Sequence, residues 1–140
     1  MRHKTPISSI MTKNIIAVQR TDDLETAERL FKLHHIRHIP VVSGNVIIGM
    51  LSYTDLLRIS FADAVGDDET EVDTVVYNMF SIDQVMTKNV VVVNSNTSIK
   101  EVAQILAKNE FHALPVVDNG ELVGIVTTTD LMQYMLDQFL

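Results

Sequence analysis

Gly49-Met50-Leu51-Ser52-Tyr53-Thr54-Asp55-Leu56 returns later in the chain as Gly124-Ile125-Val126-Thr127-Thr128-Thr129-Asp130-Leu131. Asp55 and Asp130 stand 75 residues apart, and the same offset carries Ile7 to Leu57 onto Ile82 to Met132 without a gap. Met11-Thr12-Lys13-Asn14 falls on Met86-Thr87-Lys88-Asn89, and Pro40-Val41-Val42 falls on Pro115-Val116-Val117. Most of the protein is therefore two copies of one unit, so the unit has to be read before any motif inside it.

Each copy reads as strand, helix, strand, strand, helix. The β-branched runs Ile15 to Val18 and Val90 to Val93 predict the opening strands. Leu24, Ala27, Leu30 and Phe31 recur at helical spacing, as do Ile99, Val102, Ala103 and Leu106, which predicts one buried stripe per copy. Asp22 precedes Glu25 by three residues and Ser98 precedes Glu101 by three, the spacing of a capping box. Strands are expected at His38 to Ser43 and Val46 to Ser52, then at Ala113 to Asp118 and Glu121 to Thr127. Gly44-Asn45 and Asn119-Gly120 lie between them and tolerate the positive φ of a tight hairpin. Closing helices are expected from near Thr54 and Thr129, carrying Leu56, Leu57 and Ile59 in one copy and Leu131, Met132, Met135 and Leu136 in the other. Met132, Met135 and Leu136 have the spacing of a buried seam. The expected class is mixed α/β (α+β), with one βαββα motif over residues 1–62, an acidic linker over 63–76, and a second motif over 77–140.

The chain has 140 residues, of which 46% are apolar, enough for a compact interior. Its formal charge of −7 argues against nucleic acid as a partner, because that affinity comes from clustered Lys and Arg. No apolar run approaches the roughly 18 residues of a spanning helix. The basic tip Met1 to Lys4 has no apolar stretch behind it, so neither membrane nor secretion is expected. The absence of cysteine removes disulfides and thiolate metal sites and fits a cytoplasmic location.

The repeat, the stretch His112-Ala113-Leu114-Pro115-Val116-Val117-Asp118, and the two endings at Gly49 to Asp55 and Gly124 to Asp130 together resemble cystathionine-β-synthase (CBS) domains. The resemblance implies two motifs packed about a pseudo-twofold axis into one Bateman module with two clefts. It also implies a module that commonly forms a homodimer and binds AMP, ADP or ATP, or less commonly S-adenosylmethionine. Carried over by position, one cleft would use Thr127 and Asp130 with Asn14, Ile16, Ile36, Arg37 and His38. Its partner would use Ser52 and Asp55 with Asn89, Val91, Phe111, His112 and Ala113. Asp130 or Asp55 would accept from ribose hydroxyls, Thr127 or Ser52 would meet phosphate, and Ile16 and Ile36 would sandwich adenine. Arg37 and His38 are matched by only one basic residue in His112-Ala113, so the first of these clefts is expected to hold phosphate better.

A plainer reading competes at each corner, because a hydroxyl and a carboxylate at a helix start also cap its exposed N–H groups. His34 and His35 are adjacent near a helix end and His38 belongs to the next strand, so no zinc pair on one face is expected. Acidic residues at 67, 68, 69, 71 and 73 suggest a divalent-cation sensor, yet they lack the ligand order of a calcium loop. No arrangement activates a nucleophile, so the chain is not expected to be an enzyme and needs no cofactor. The expected function is a regulatory adenine-nucleotide sensor acting through self-association or a separate effector protein. The alternatives are a structural dimerisation or partner-binding module and the cation sensor.

Overall fold

The computed structural model describes residues 4–63 and 79–139. The chain divides into two compact units, one formed by Ile16–Asn89 and the other by Val90–Leu140 together with Met1–Ile15. The acidic residues 67 to 73, and with them the expected cation site, lie outside the described residues.

In the first unit, β1 (Val18–Gln19) leads into α1 (Leu24–His34), followed by β2 (His38–Ser43), β3 (Val46–Ser52) and α2 (Tyr53–Asp63), and a short helix α3 (Ile82–Val85) completes it. β1 pairs parallel with β2, and β2 pairs antiparallel with β3. The second unit repeats the plan with α4 (Ile99–Lys108), β4 (Ala113–Asp118), β5 (Glu121–Thr127) and α5 (Thr128–Asp137), and a 3₁₀ turn at Ile7–Ser9 takes the place of α3. The result is a mixed α+β chain with two βαββα-like motifs.

The opening strands are shorter than the β-branched runs predict. Only Val18–Gln19 forms strand in the first copy, and in the second only Val93 makes a parallel bridge, to Val116. The four strands of the two hairpins fall at the predicted bounds. Gly44, Asn119 and Gly120 carry the positive φ that their turns demand. Both ladders shift register at the same place, Val41/Val42 and Val116/Val117, so even the bulge is duplicated.

Pro40 sits in the central strand β2, where a missing N–H normally breaks a ladder. Its register partner Met50 instead turns both backbone groups to the opposite side: Met50 N–H donates to the Thr87 carbonyl (3.0 Å) and Thr87 N–H to that of Met50 (2.9 Å). Pro40 and Met50 thus form a pair with no mutual hydrogen bond, and proline costs no bond to β3 there. Pro115, Ile125 and Thr12 repeat this arrangement in the second unit.

The two cores match position by position. Val18, Leu24, Ala27, Phe31, Ile39, Val41 and Leu51 fill the first, and Val93, Ile99, Val102, Leu106, Leu114, Val116 and Val126 fill the second. Where Ala27 gives way to the larger Val102, Phe31 gives way to the smaller Leu106, a swap that conserves volume. Ile82, which opens the second copy, is fully buried in the first core, and Ile7, which opens the first copy, is fully buried in the second. Each core is closed by the segment leading into the other copy.

Two expectations are corrected. Asp23, not Asp22, caps α1, accepting from Thr26 N–H at 2.8 Å, while Asp22 accepts from Gln19 N–H. Asp23 is the true counterpart of Ser98, which caps α4 by accepting from Glu101 N–H. The expected seam on α5 is not buried: Met132, Met135 and Leu136 are all exposed. Periodicity placed them on one face, but no described residue covers that face.

Candidate functional site

β3 and β5 each run directly into a helix, so their last residues become N-caps. Ser52 Oγ accepts from Asp55 N–H at 3.1 Å, and Asp55 Oδ2 accepts from Ser52 N–H at 3.2 Å. Thr127 Oγ1 accepts from Asp130 N–H at 3.1 Å, and Asp130 Oδ2 accepts from Thr127 N–H at 3.0 Å. The helices therefore begin at Tyr53 and Thr128, one residue earlier than expected, and the caps are Ser52 and Thr127. Reciprocal capping is the plain reading of these pairs, and the structure contains it.

Capping does not exhaust their chemistry. It uses the lone pairs of Ser52 and Thr127 and leaves each hydroxyl proton available to donate. It uses one carboxylate oxygen of each Asp. Asp55 Oδ1 lies 3.7 Å from Arg58 Nη1. No described residue hydrogen-bonds Asp130 Oδ1. All four corner residues are half-buried, so the corners are neither sealed in the core nor loose on the surface.

The ladders decide what stands beside each corner. His38 is the register partner of Ser52, and Tyr53 N–H donates to the Arg37 carbonyl at 2.9 Å. The β2–β3 hairpin thus sets the backbone of Arg37 and His38 beside Ser52 and Tyr53. In the second unit, Ala113 pairs with Thr127 and Thr128 N–H donates to the His112 carbonyl at 3.0 Å. Asn89 belongs with the Ser52–Asp55 unit and Asn14 with the Thr127–Asp130 unit, each two residues beyond the threonine that bridges the neighbouring strand. Ile16 and Ile36 fall in the first unit, and Val91 and Phe111 in the second. Ile36 and Phe111 pack against the cores of their own units.

Thr12 was missed. Its backbone bridge to Ile125 sets its hydroxyl 3.5 Å from Asp130 Oδ2, so the corner holds a third polar group from a distant part of the sequence. Its place in the duplicated Met-Thr-Lys-Asn was the available signal. The glycine that opens each duplicated ending belongs to the same arrangement. A β-carbon on Gly124 would lie 2.6 Å from Met11 Sδ, and one on Gly49 would run into Met86 Sδ. Glycine thus lets the Met-Thr segment lie flat against the strand that ends in the corner.

His34 and His35 are exposed at the end of α1, where His35 adopts the left-handed conformation and donates its N–H to the Phe31 carbonyl. Among the described residues no group of three His, Asp or Glu side chains is placed to hold a metal. No helix among them is long and apolar enough to cross a membrane.

Comparison with known proteins places this geometry. The CBS-domain protein YhcV of Bacillus subtilis (strain 168) is 31% identical over 125 residues, 89% of this chain and 81% of that one. The chain spans only 46% and 23% of two longer curated relatives. Among solved structures, CBSX2 in complex with AMP superposes with a TM-score of 0.79 at 22% identity, covering 97% of this chain and 99% of that one. The CBS domain pair of MJ0100, in complex with 5′-methylthioadenosine and S-adenosyl-L-methionine, superposes with a TM-score of 0.78 at 23% identity, covering 96% and 98%. The CBS domain profile itself matches residues 7–62 and again 82–137, the two copies that share a hairpin, a core pattern and a capped corner, and the chain belongs to the CBS domain family as a tandem pair.

Proposed function

We propose that the Ser52–Asp55 and Thr127–Asp130 corners are ribose sites, and that the chain is a regulatory module binding an adenosine-containing ligand. AMP, ADP and ATP are the first candidates and S-adenosylmethionine the next. The observation that carries this reading is the duplicated, half-exposed carboxylate whose second oxygen is not used by the capping box. A vicinal diol offers two donors to such an oxygen, the hydroxyl proton of Ser52 or Thr127 can be donated to the ligand, and each helix N-terminus attracts phosphate. Complexes of similar fold with AMP, 5′-methylthioadenosine and S-adenosylmethionine agree in the adenosyl group. Ile16 and Ile36 in one unit, and Val91 and Phe111 in the other, are the apolar side chains proposed for adenine. Asn14 and Asn89 are proposed as polar contacts at the corners.

Binding without covalent chemistry is the proposed activity, with no cofactor. It regulates only if the ligand prefers one of two forms of the protein, since equal affinity shifts no equilibrium. A second copy of the chain is the proposed first recipient of the signal, through the exposed apolar face of α5, with a separate effector beyond it. A cytoplasmic location belongs to the same reading.

Titration calorimetry of the whole chain with AMP, ADP, ATP and S-adenosylmethionine is the test. Saturable binding weakened at least tenfold by Asp130→Ala or Asp55→Ala is expected, since removing a partner of a charged hydrogen bond costs about 1.5–3 kcal/mol. Binding of none of the four, with the fold intact by circular dichroism, would overturn this reading in favour of assembly or cation sensing.

A further inference from the structure

The two corners share one capping box and differ three residues further along the helix. On α2 that position is Arg58, whose Nη1 lies 3.7 Å from Asp55 Oδ1. On α5 it is Gln133, whose amide donates to Asp137 Oδ1 at 3.1 Å and so is engaged one turn towards the C-terminus. The carboxylate of Asp55 thus shares its outward oxygen with a guanidinium, while the nearest added partner of Asp130 is the neutral hydroxyl of Thr12. We infer that Arg58 makes the Asp55 corner selective for ligand charge, favouring phosphorylated over neutral adenosyl ligands, while the Asp130 corner lacks this selection. The inference rests on the ribose reading above.

An ion pair three residues apart on a helix is ordinary, and with Arg58 76% exposed it contributes little to stability. Its consequence appears when something enters the corner. Ribose hydroxyls must share Asp55 Oδ1 with the guanidinium, which opposes a neutral nucleoside. A phosphorylated ligand recovers that loss, because its oxygens accept charge-assisted, bidentate hydrogen bonds from the same guanidinium. The backbone of Arg37 and His38 runs beside this corner in the β2–β3 hairpin, and that of His112 and Ala113 runs beside the other. The asymmetry at Arg58 and Gln133 therefore runs in the same direction as the asymmetry in the strands.

The test measures ADP and adenosine binding to the whole chain by calorimetry. In an Asp130→Ala background, which leaves the Asp55 corner to report, Arg58→Gln should weaken ADP about tenfold while adenosine binds equally or more tightly. Arg58→Lys should restore part of the ADP affinity. In an Asp55→Ala background, Gln133→Arg should raise the ratio of ADP to adenosine affinity. Equal loss of both ligands on Arg58→Gln, no change in either, or no binding at all in the Asp130→Ala background would overturn the assignment. A wild-type chain that binds neither ligand would overturn the ribose reading together with it, whereas binding with an unmoved ratio would sink only the role of Arg58.

Discussion

Met86 lies over Gly49, and Met11 lies over Gly124 in the same way, so each Met-Thr segment is seated where the strand has no side chain. The two contacts differ in what surrounds them. At Gly124 the near atoms all belong to the flexible end of Met11, whereas at Gly49 the Thr87 carbonyl also stands 3.0 Å from a β-carbon. A thioether can turn aside, but a carbonyl held in a backbone bridge cannot. Gly49→Ala should therefore destabilise by about 1–3 kcal/mol and Gly124→Ala by visibly less. Urea unfolding of the two variants checks the order, and equal costs would show that the methionine alone sets the limit.

Ile7 and Ile82 are each buried in the core of the copy they do not lead into. Truncation to alanine should cost about 2–5 kcal/mol at either position. The place of the damage is the sharper expectation. Ile7→Ala should raise amide exchange at Val116 and Val126 of the second core and spare Ile39 and Leu51. Ile82→Ala should do the reverse. Exchange followed by NMR decides, and loosening of the copy next in sequence would refute the crossed arrangement.

Much of this was legible from the residues. The hairpin strands were readable because β-branched runs met Gly-Asn and Asn-Gly turns, and α1 and α4 because apolar residues recurred at helical spacing. The capping register at α1 was ambiguous, since Asp22 and Asp23 are both good caps, and the choice is made by the Gln19 N–H that occupies Asp22. Nothing local in Ile7 or Ile82 states which core receives it, because either pocket accepts the same side chain. The corners were visible in the doubled motif, but the hydroxyl of Thr12 reaches Asp130 through a strand bridge that only the fold creates.

Two carboxylates link stability to acid. Asp23 is held below its ordinary 3.8 first by the Thr26 hydroxyl and then by the Thr26 N–H. Asp118 is lowered from the same value by Ser95, again hydroxyl before N–H. A group whose value is lower in the folded protein contributes fully above 3.8, and the contribution is lost as pH falls through the folded values. The thermal midpoint should therefore fall on acidification below about pH 4. Asp23→Asn and Asp118→Asn together should flatten that fall, since the amides keep an acceptor but do not titrate there. An acid slope unchanged in the double variant would assign it to other carboxylates.

Met132, Met135, Leu136 and Phe139 are exposed by 63%, 52%, 59% and 83%, and their spacing puts them on one side of α5 and its extension. A contiguous apolar strip of this kind on an otherwise acidic protein marks a binding surface. Methionine suits a self-complementary one, because its unbranched side chain adapts to a copy of itself. Leu57, the counterpart of Met132 on α2, is also exposed, so both closing helices present an apolar residue at the same position. The expected outcome is a dimer in sedimentation equilibrium that becomes a monomer when Met135→Glu and Leu136→Glu are combined, with helical circular dichroism retained. Charges placed there must lose their hydration to be buried, which a surface dimer does not tolerate. A wild-type chain that stays monomeric, or a double variant that still dimerises, would move the self-association surface away from α5.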